Sequence, residues 1–236
     1  MKKLIILAMI VLMVSSYSTA ADKTPLRNVD IDAFTVETQG FMFPEAGDGH
    51  LAIAWWIPYE FWDATFSQDE TISKTEGDEI LDALLGISIL AVLQGDITSL
   101  AALEYYSKEE IEKQMLVSFT DITGKRQKIS IRQALSPDLE VMLALFQPIL
   151  GSAMGNMGDN FHFFVLNDIS HFSDRLLNPY LKGQLNVQLA KRDDELMTGY
   201  IEMPLNSLFI PRKCPNGKNA HISWNYCPWT GQQLED

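Results

Sequence analysis

Four histidines are the first residues to weigh for chemistry in this sequence. His50 follows the turn-like Gly47-Asp48-Gly49, where acidic neighbours could work with its imidazole in general acid–base catalysis. His171 sits in Asp168-x-x-His171-x-x-Asp174, a spacing that gathers its side chains on one face only if the segment is helical. Without a fourth ligand that triplet is a thin metal signature, and neither a metal nor any other cofactor is read from it. His162 lies in the run FHFFVL on the face opposite Phe161 and Phe163, where a surface or hydrogen-bonded imidazole is expected. Asp193-Asp194-Glu195 reads as a solvated turn. The sequence holds no Gly-x-Ser-x-Gly, His-Glu-x-x-His or phosphate-binding loop. Trp55, Tyr59, Phe61, Trp62 and Phe66 cluster within a short stretch. Their first reading is core; the second is a wall against which an apolar ligand stacks, with Trp55 and Trp62 as candidate binding residues.

The two cysteines lie near the end of the chain. Cys214-Pro215-Asn216-Gly217 and Cys227-Pro228-Trp229-Thr230-Gly231, with Tyr226 before the second group, resemble the two knuckles of a zinc ribbon. That family repeats Cys-Pro-x-Cys-Gly, whereas Gly217 and Thr230 stand here in the places of the second cysteines, and neither binds zinc. The resemblance covers residues 210–234 and implies a small rubredoxin-like hairpin appendage rather than a metal-dependent activity. Similar tails occur on uncharacterised bacterial exported proteins. In a zinc ribbon the first cysteines of the knuckles converge, with sulfurs about 3.8 Å apart. An S–S bond of about 2.05 Å needs only a small shift from there. The resemblance thus implies a Cys214–Cys227 disulfide in place of the metal, and with both cysteines committed to the tail a cysteine nucleophile is not expected. The closed loop of about 14 residues is worth roughly 3 kcal/mol in the chain-entropy model. A zinc site would have to recruit His221 and a carboxylate, outside the usual structural ligand sets. Trp224, Tyr226 and Trp229 are further candidate binding residues, held in this hairpin and either docked on the body or offered to a partner.

The remaining segments must position these groups. Met1-Lys2-Lys3, an apolar run of 11 residues from Leu4 to Val14, and Ser18-Thr19-Ala20 read as a signal peptide over 1–20, with export to the periplasm or the extracellular medium. Leu51 to Ile57, closed by Pro58, reads as a buried strand. A strand is also expected within Phe34 to Phe43. Ile80 to Leu93 is almost wholly aliphatic and reads as a helix from about Asp78 to Leu93, buried on most sides and broken near Gly86 or Gly95. Asp82, Gln94 and Asp96 argue against a membrane span, which needs about 20 apolar residues. Ser107-x-x-Glu110 is a capping box that opens a short helix to Gln114. Leu116 to Asp121 and Arg126 to Ile131 read as a hairpin. Ser136-Pro137 starts a helix that Pro148 should kink or end near Leu150. Residues 151–160 read as a loop, Phe161 to Leu166 as a strand, and Leu185 to Ala190 with Leu196 to Met203 as paired strands. The expected fold is α+β: mostly antiparallel sheet covered by two apolar helices over 21–209, followed by the tail at 210–236.

The chain carries 18 Lys+Arg against 31 Asp+Glu, a net charge of −13. Loss of Lys2 and Lys3 with the leader would take it to −15. Such acidity disfavours nucleic acid and anionic lipid, and no stable membrane insertion is expected after the leader. Two classes of function remain. One is an exported, non-enzymatic protein that binds another protein or an apolar small molecule. The other is a hydrolase of an unrecognised family using acidic residues with His50 or His171.

Overall fold

Gly86 decides how the most apolar segment folds. In the computed structural model, which describes residues 22–169 and 175–234, Gly86 has φ +73°. A Cβ there would also press on the end of the Ile169 side chain, which is half exposed and can shift. The positive φ is the demand that favours glycine. The chain therefore leaves a helix at this point and enters a strand.

In chain order the elements are α1 (Ile31–Thr38), β1 (His50–Ile57), α2 (Tyr59–Gln68), α3 (Lys74–Ala83), β2 (Ile87–Ile97), β3 (Leu103–Tyr105), α4 (Lys108–Gln114), β4 (Leu116–Asp121), β5 (Arg126–Ile129), α5 (Pro137–Met154), α6 (Asn156–Asp159), β6 (His162–Asn167), β7 (Gly183–Ala190), β8 (Leu196–Met203), β9 (Arg212–Lys213) and β10 (Asn219–Ala220). The protein is α+β with mostly antiparallel sheets. β2 is the spine of the first sheet: β1 pairs along one side of it, and β6 and β3 share the other. The second sheet runs β5-β4-β7-β8, with every pairing antiparallel. One apolar core takes in residues of both sheets and of the helices. No helix among the described residues is long and apolar enough to cross a membrane. The leader expected at 1–20 lies outside the described residues, as does His171.

Three expectations change. The helix expected from Asp78 to Leu93 is α3 followed by β2, so one of the two apolar covering helices is a strand. β2 is buried on both faces from Ile87 to Gly95. It therefore shows no alternation and resembles a buried helix in sequence. α3 starts at a capping box of Ser73 with Glu76. Phe34 lies not in a strand but in α1, capped by Asp30. α5 continues through Pro148 to Met154, into the expected loop. Pro148 and Ala144 are both exposed, so water can take the Ala144 carbonyl that Pro148 leaves without a donor.

The helical layer is fixed by a row of side chains across the first sheet. Trp55, Ala91 and Phe163 are register partners on β1, β2 and β6. Two large rings flank one methyl group, and Phe146 of α5 packs on both, its ring centre 6.0 Å from Trp55 and 5.7 Å from Phe163. Trp62 of α2 meets the same ring at 5.1 Å. Leu139, Leu143 and Phe146 form the inward stripe of α5 at the i, i+4, i+7 spacing.

Leu85 sits between α3 and Gly86 and is 61% exposed, whereas Ile89 on β2 is fully buried. Leu85→Asp is expected to cost about 1 kcal/mol or less, a surface-type change beside a helix C-terminus. Ile89→Asp is expected to abolish folding, since an unpaired buried carboxylate costs several kcal/mol, on the scale of total stability. Thermal melting of the two variants checks this, and equal losses would contradict the assignment of Gly86 as the switch from helix to strand.

Candidate binding surface

α5 is apolar on two stripes, and its inward stripe is already used. The outward stripe runs Asp138, Val141, Leu145 and Pro148, spaced so that one face carries all four. Val141 is 59% and Leu145 67% exposed. Ser136 caps this helix by accepting from the Leu139 N–H, and Pro137 occupies the first turn. α3 lies alongside, and between the two helices opens a cleft of about 590 Å³. Ile80, Ala83, Val141, Met142 and Leu145 form its apolar lining, and Glu79, Asp82 and Asp138 supply its charged groups. The lining is therefore part apolar and part anionic.

Trp55 and Trp62 stand behind α5 rather than in the cleft, both buried. Trp55 donates its Nε1–H to Thr38 Oγ1 at 3.0 Å and meets Phe61 edge-on. Trp62 packs on Phe61, Phe66 and Phe146. They form the wall that supports α5.

His50 does meet a carboxylate. Its Nδ1–H donates to Asp96 Oδ1 at 2.7 Å across the β1–β2 pair. The rest of that carboxylate is occupied: Tyr106 donates its hydroxyl to Asp96 Oδ1 at 3.2 Å, and Arg192 Nη1 reaches Asp96 Oδ2 at 3.1 Å. Arg192 also pairs with Glu104 and Glu110, and lies over the Tyr106 ring at 4.3 Å. Burial is the main cause that pushes the Tyr106 hydroxyl up to about 12. His50 Nε2, the nitrogen a general base would use, is buried and has no hydrogen-bond partner. The arrangement ties β2, β3, α4 and the β7–β8 turn together; it does not present a base to a substrate. His162 is likewise committed, its Nε2–H donating to the Tyr106 carbonyl at 3.0 Å. Of the Asp168–His171–Asp174 triplet, Asp168 is described and fully buried, accepting from Ser88 Oγ, the Leu177 N–H and Arg175. His171 and Asp174 lie outside the described residues. Among the described residues no group of three His, Cys, Asp or Glu is placed to hold a metal ion.

The tail forms a second small apolar cluster of Cys214, Ala220, Cys227 and Leu234, with Trp224 against it. Each cysteine opens a tight turn. The Gly217 N–H donates to the Cys214 carbonyl and the Gly231 N–H to that of Cys227, both at 2.8 Å, and both glycines have positive φ. The two thiols are free and hydrogen-bonded to each other. Burial, with the bond to Cys227, pushes the Cys214 thiol up to about 11. Burial opposes ionisation of Cys227 too, but bonds from Cys214, the Thr230 hydroxyl and the Trp229 and Thr230 N–H groups bring it down to about 7. Arg212 Nη2 donates to the carbonyls of His221, Ile222 and Trp224 within the tail, and the Ile222 N–H donates to Asn206 Oδ1, which joins the tail to the body. Trp224 and Trp229 meet edge-on, while Tyr226 is 61% and Trp229 49% exposed.

No family model, curated protein or solved structure matches this chain. Sequence reasoning did not find Val141, Leu145 or the Arg192 network. The available signal for the first two was that α5 is apolar on more than one stripe. Arg192 gave none, since its partners are distant in sequence.

Two outcomes test this description. Arg192→Met is expected to cost about 1 kcal/mol at pH 7, the scale of an exposed network. The Ser107 N–H first, then Arg192, holds the Glu110 carboxyl below its ordinary value. That contribution is present above the unfolded pKa, about 4.3, and is lost as pH falls through the lower folded value. Wild type and variant should therefore converge in stability as pH is lowered below about 4, and a constant difference down to acid would contradict it. Separately, the protein recovered from an oxidising compartment is expected to carry a Cys214–Cys227 disulfide. Its unreduced mass should be lower by two hydrogens, and two free thiols would refute the pairing.

Proposed function

We propose that this protein is an exported, non-enzymatic binding protein whose recognition surface is the cleft between α3 and α5. The observation that carries this reading is the outward stripe of α5, where Val141 and Leu145 are 59% and 67% exposed beside a cleft of about 590 Å³. Single exposed aliphatic residues need no explanation; two on one helix face that line one concavity support a binding role. Covering each would contribute about 1–2 kcal/mol, since both are only partly exposed. Export rests on the leader read at residues 1–20.

The hydrolase reading has one observation in its favour, the 2.7 Å contact between His50 and Asp96. The sealed Nε2 of His50 argues against it, because a base must reach the proton it removes.

The test is Nile red, a neutral apolar dye whose emission brightens in an apolar site, titrated into the full-length protein. Saturable binding is expected, weakened at least about tenfold by Leu145→Glu, roughly 1.4 kcal/mol. The variant should keep the melting temperature of the parent, since the residue faces solvent. No saturable binding, or binding unchanged by Leu145→Glu, would overturn the cleft as the recognition surface.

A further inference from the structure

We infer that the cleft between α3 and α5 receives a cationic amphipathic helix of another protein. This rests on the binding role proposed above and adds the identity of the occupant.

The charged groups of the lining are Glu79, Asp82 and Asp138, and it includes no Lys, Arg or His. These three come from both walls: Glu79 and Asp82 from α3, Asp138 from the first turn of α5. An occupant that covers Val141 and Leu145 meets Glu79 and Asp82 from α3 and Asp138 at the N-terminal end of the α5 stripe. Cationic edges are attracted there, and anionic edges are repelled. The charge of the whole chain, −13, adds a longer-ranged field of the same sign.

That charge pattern disfavours other occupants. A second copy of the chain would set the same carboxylates against themselves in a two-fold interface, where each like-charge contact costs energy. A membrane rich in anionic lipid is repelled by these carboxylates and by the net charge. A small neutral ligand can cover the apolar lining but gains nothing from the three carboxylates, which stay solvated.

The shape selects a helix. The cleft is bounded by two helices, and a third helix lies naturally in such a trough at an interaxial distance of about 8–10 Å. The outward stripe of α5 at 138, 141, 145 and 148 is itself a ridge with helical spacing. Its complement is a partner helix with apolar residues at i, i+3 or i+4, and i+7, flanked by Lys or Arg. The stripe spans about 15 Å at 1.5 Å per residue, so a partner of roughly three turns covers it.

The experiment is displacement of Nile red from the full-length protein by two peptides of about 14 residues, some 21 Å as a helix. One is an amphipathic leucine–lysine sequence; the other replaces each lysine with glutamate and keeps the apolar face. The lysine peptide is expected to displace the dye at a concentration at least about tenfold lower, a preference that shrinks as ionic strength rises and screening shortens. The combined variant Glu79→Gln, Asp82→Asn, Asp138→Asn, checked for the parent's melting temperature, should lose most of the preference, and a preference that survives in it would overturn the charge argument. Leu145→Glu separates cleft binding from non-specific attraction: it adds a negative charge, so it weakens a peptide seated in the cleft but strengthens one that merely coats an acidic surface. Dye binding with equal displacement by both peptides, or by neither, would overturn the helix inference and leave the binding cleft standing. Absence of both dye and peptide binding would overturn the two together.

Discussion

Phe146 is the contact on which the helical layer depends. Its ring lies against Trp55 and Phe163, two large residues that the β1–β2–β6 register places on either side of Ala91. A larger residue at Ala91 would fill the trough between them, and a smaller one at 146 would leave it empty. Either change costs energy in a close-packed interior. Because Phe146 shares its inward stripe with Leu139 and Leu143, its seat also fixes the rotation of α5. That rotation determines that Val141 and Leu145 face outward. The exposure of those two residues is thus a consequence of how α5 is anchored, and the cleft inherits the rigidity of the aromatic layer behind it.

The polar network around Arg192 obeys a different constraint. Asp96, Glu104 and Glu110 come from β2, β3 and α4 and converge on the guanidinium of Arg192. A planar guanidinium with several donors can serve three carboxylates at once, which an ammonium does less well. His50 and Tyr106 complete the group by satisfying the inner oxygen of Asp96. A histidine beside an aspartate suggests catalysis when read as a pair. Read with all its neighbours, it belongs to a junction whose groups bond each other, with the remaining imidazole nitrogen closed off from substrate.

The parts of the fold legible in the sequence were those with alternating or capping residues, and the short apolar runs of β1 and β6 that turn residues bound. Leu185 to Ala190 and Leu196 to Met203 alternate and form β7 and β8; Ser107 and Glu110 form a capping box as their spacing requires. β2 was illegible for a physical reason. A strand covered on both faces has no period of two, and its aliphatic run has the composition of a buried helix. Gly86 was visible as a break, but its positive φ and the closeness of Ile169 are tertiary facts. The candidate site was harder still. Trp55 and Trp62 stood out by type, yet their size made them core. The residues left at the surface, Val141 and Leu145, differ from the inward Leu139 and Leu143 only in the direction α5 turns them, and that direction is set by the register of three strands.

The cleft and the charge of the chain bear on one another. An exposed apolar face invites self-association and aggregation, and proteins limit this by surrounding such faces with charge. Here Glu79, Asp82 and Asp138 border Val141 and Leu145, and the chain as a whole carries −13. On the reading proposed above, the same carboxylates oppose contact between two copies and favour a partner of opposite sign. Protection from self-contact and choice of partner would then follow from one arrangement. It explains how two large aliphatic side chains can stay in water on this protein without a bland covering of their own.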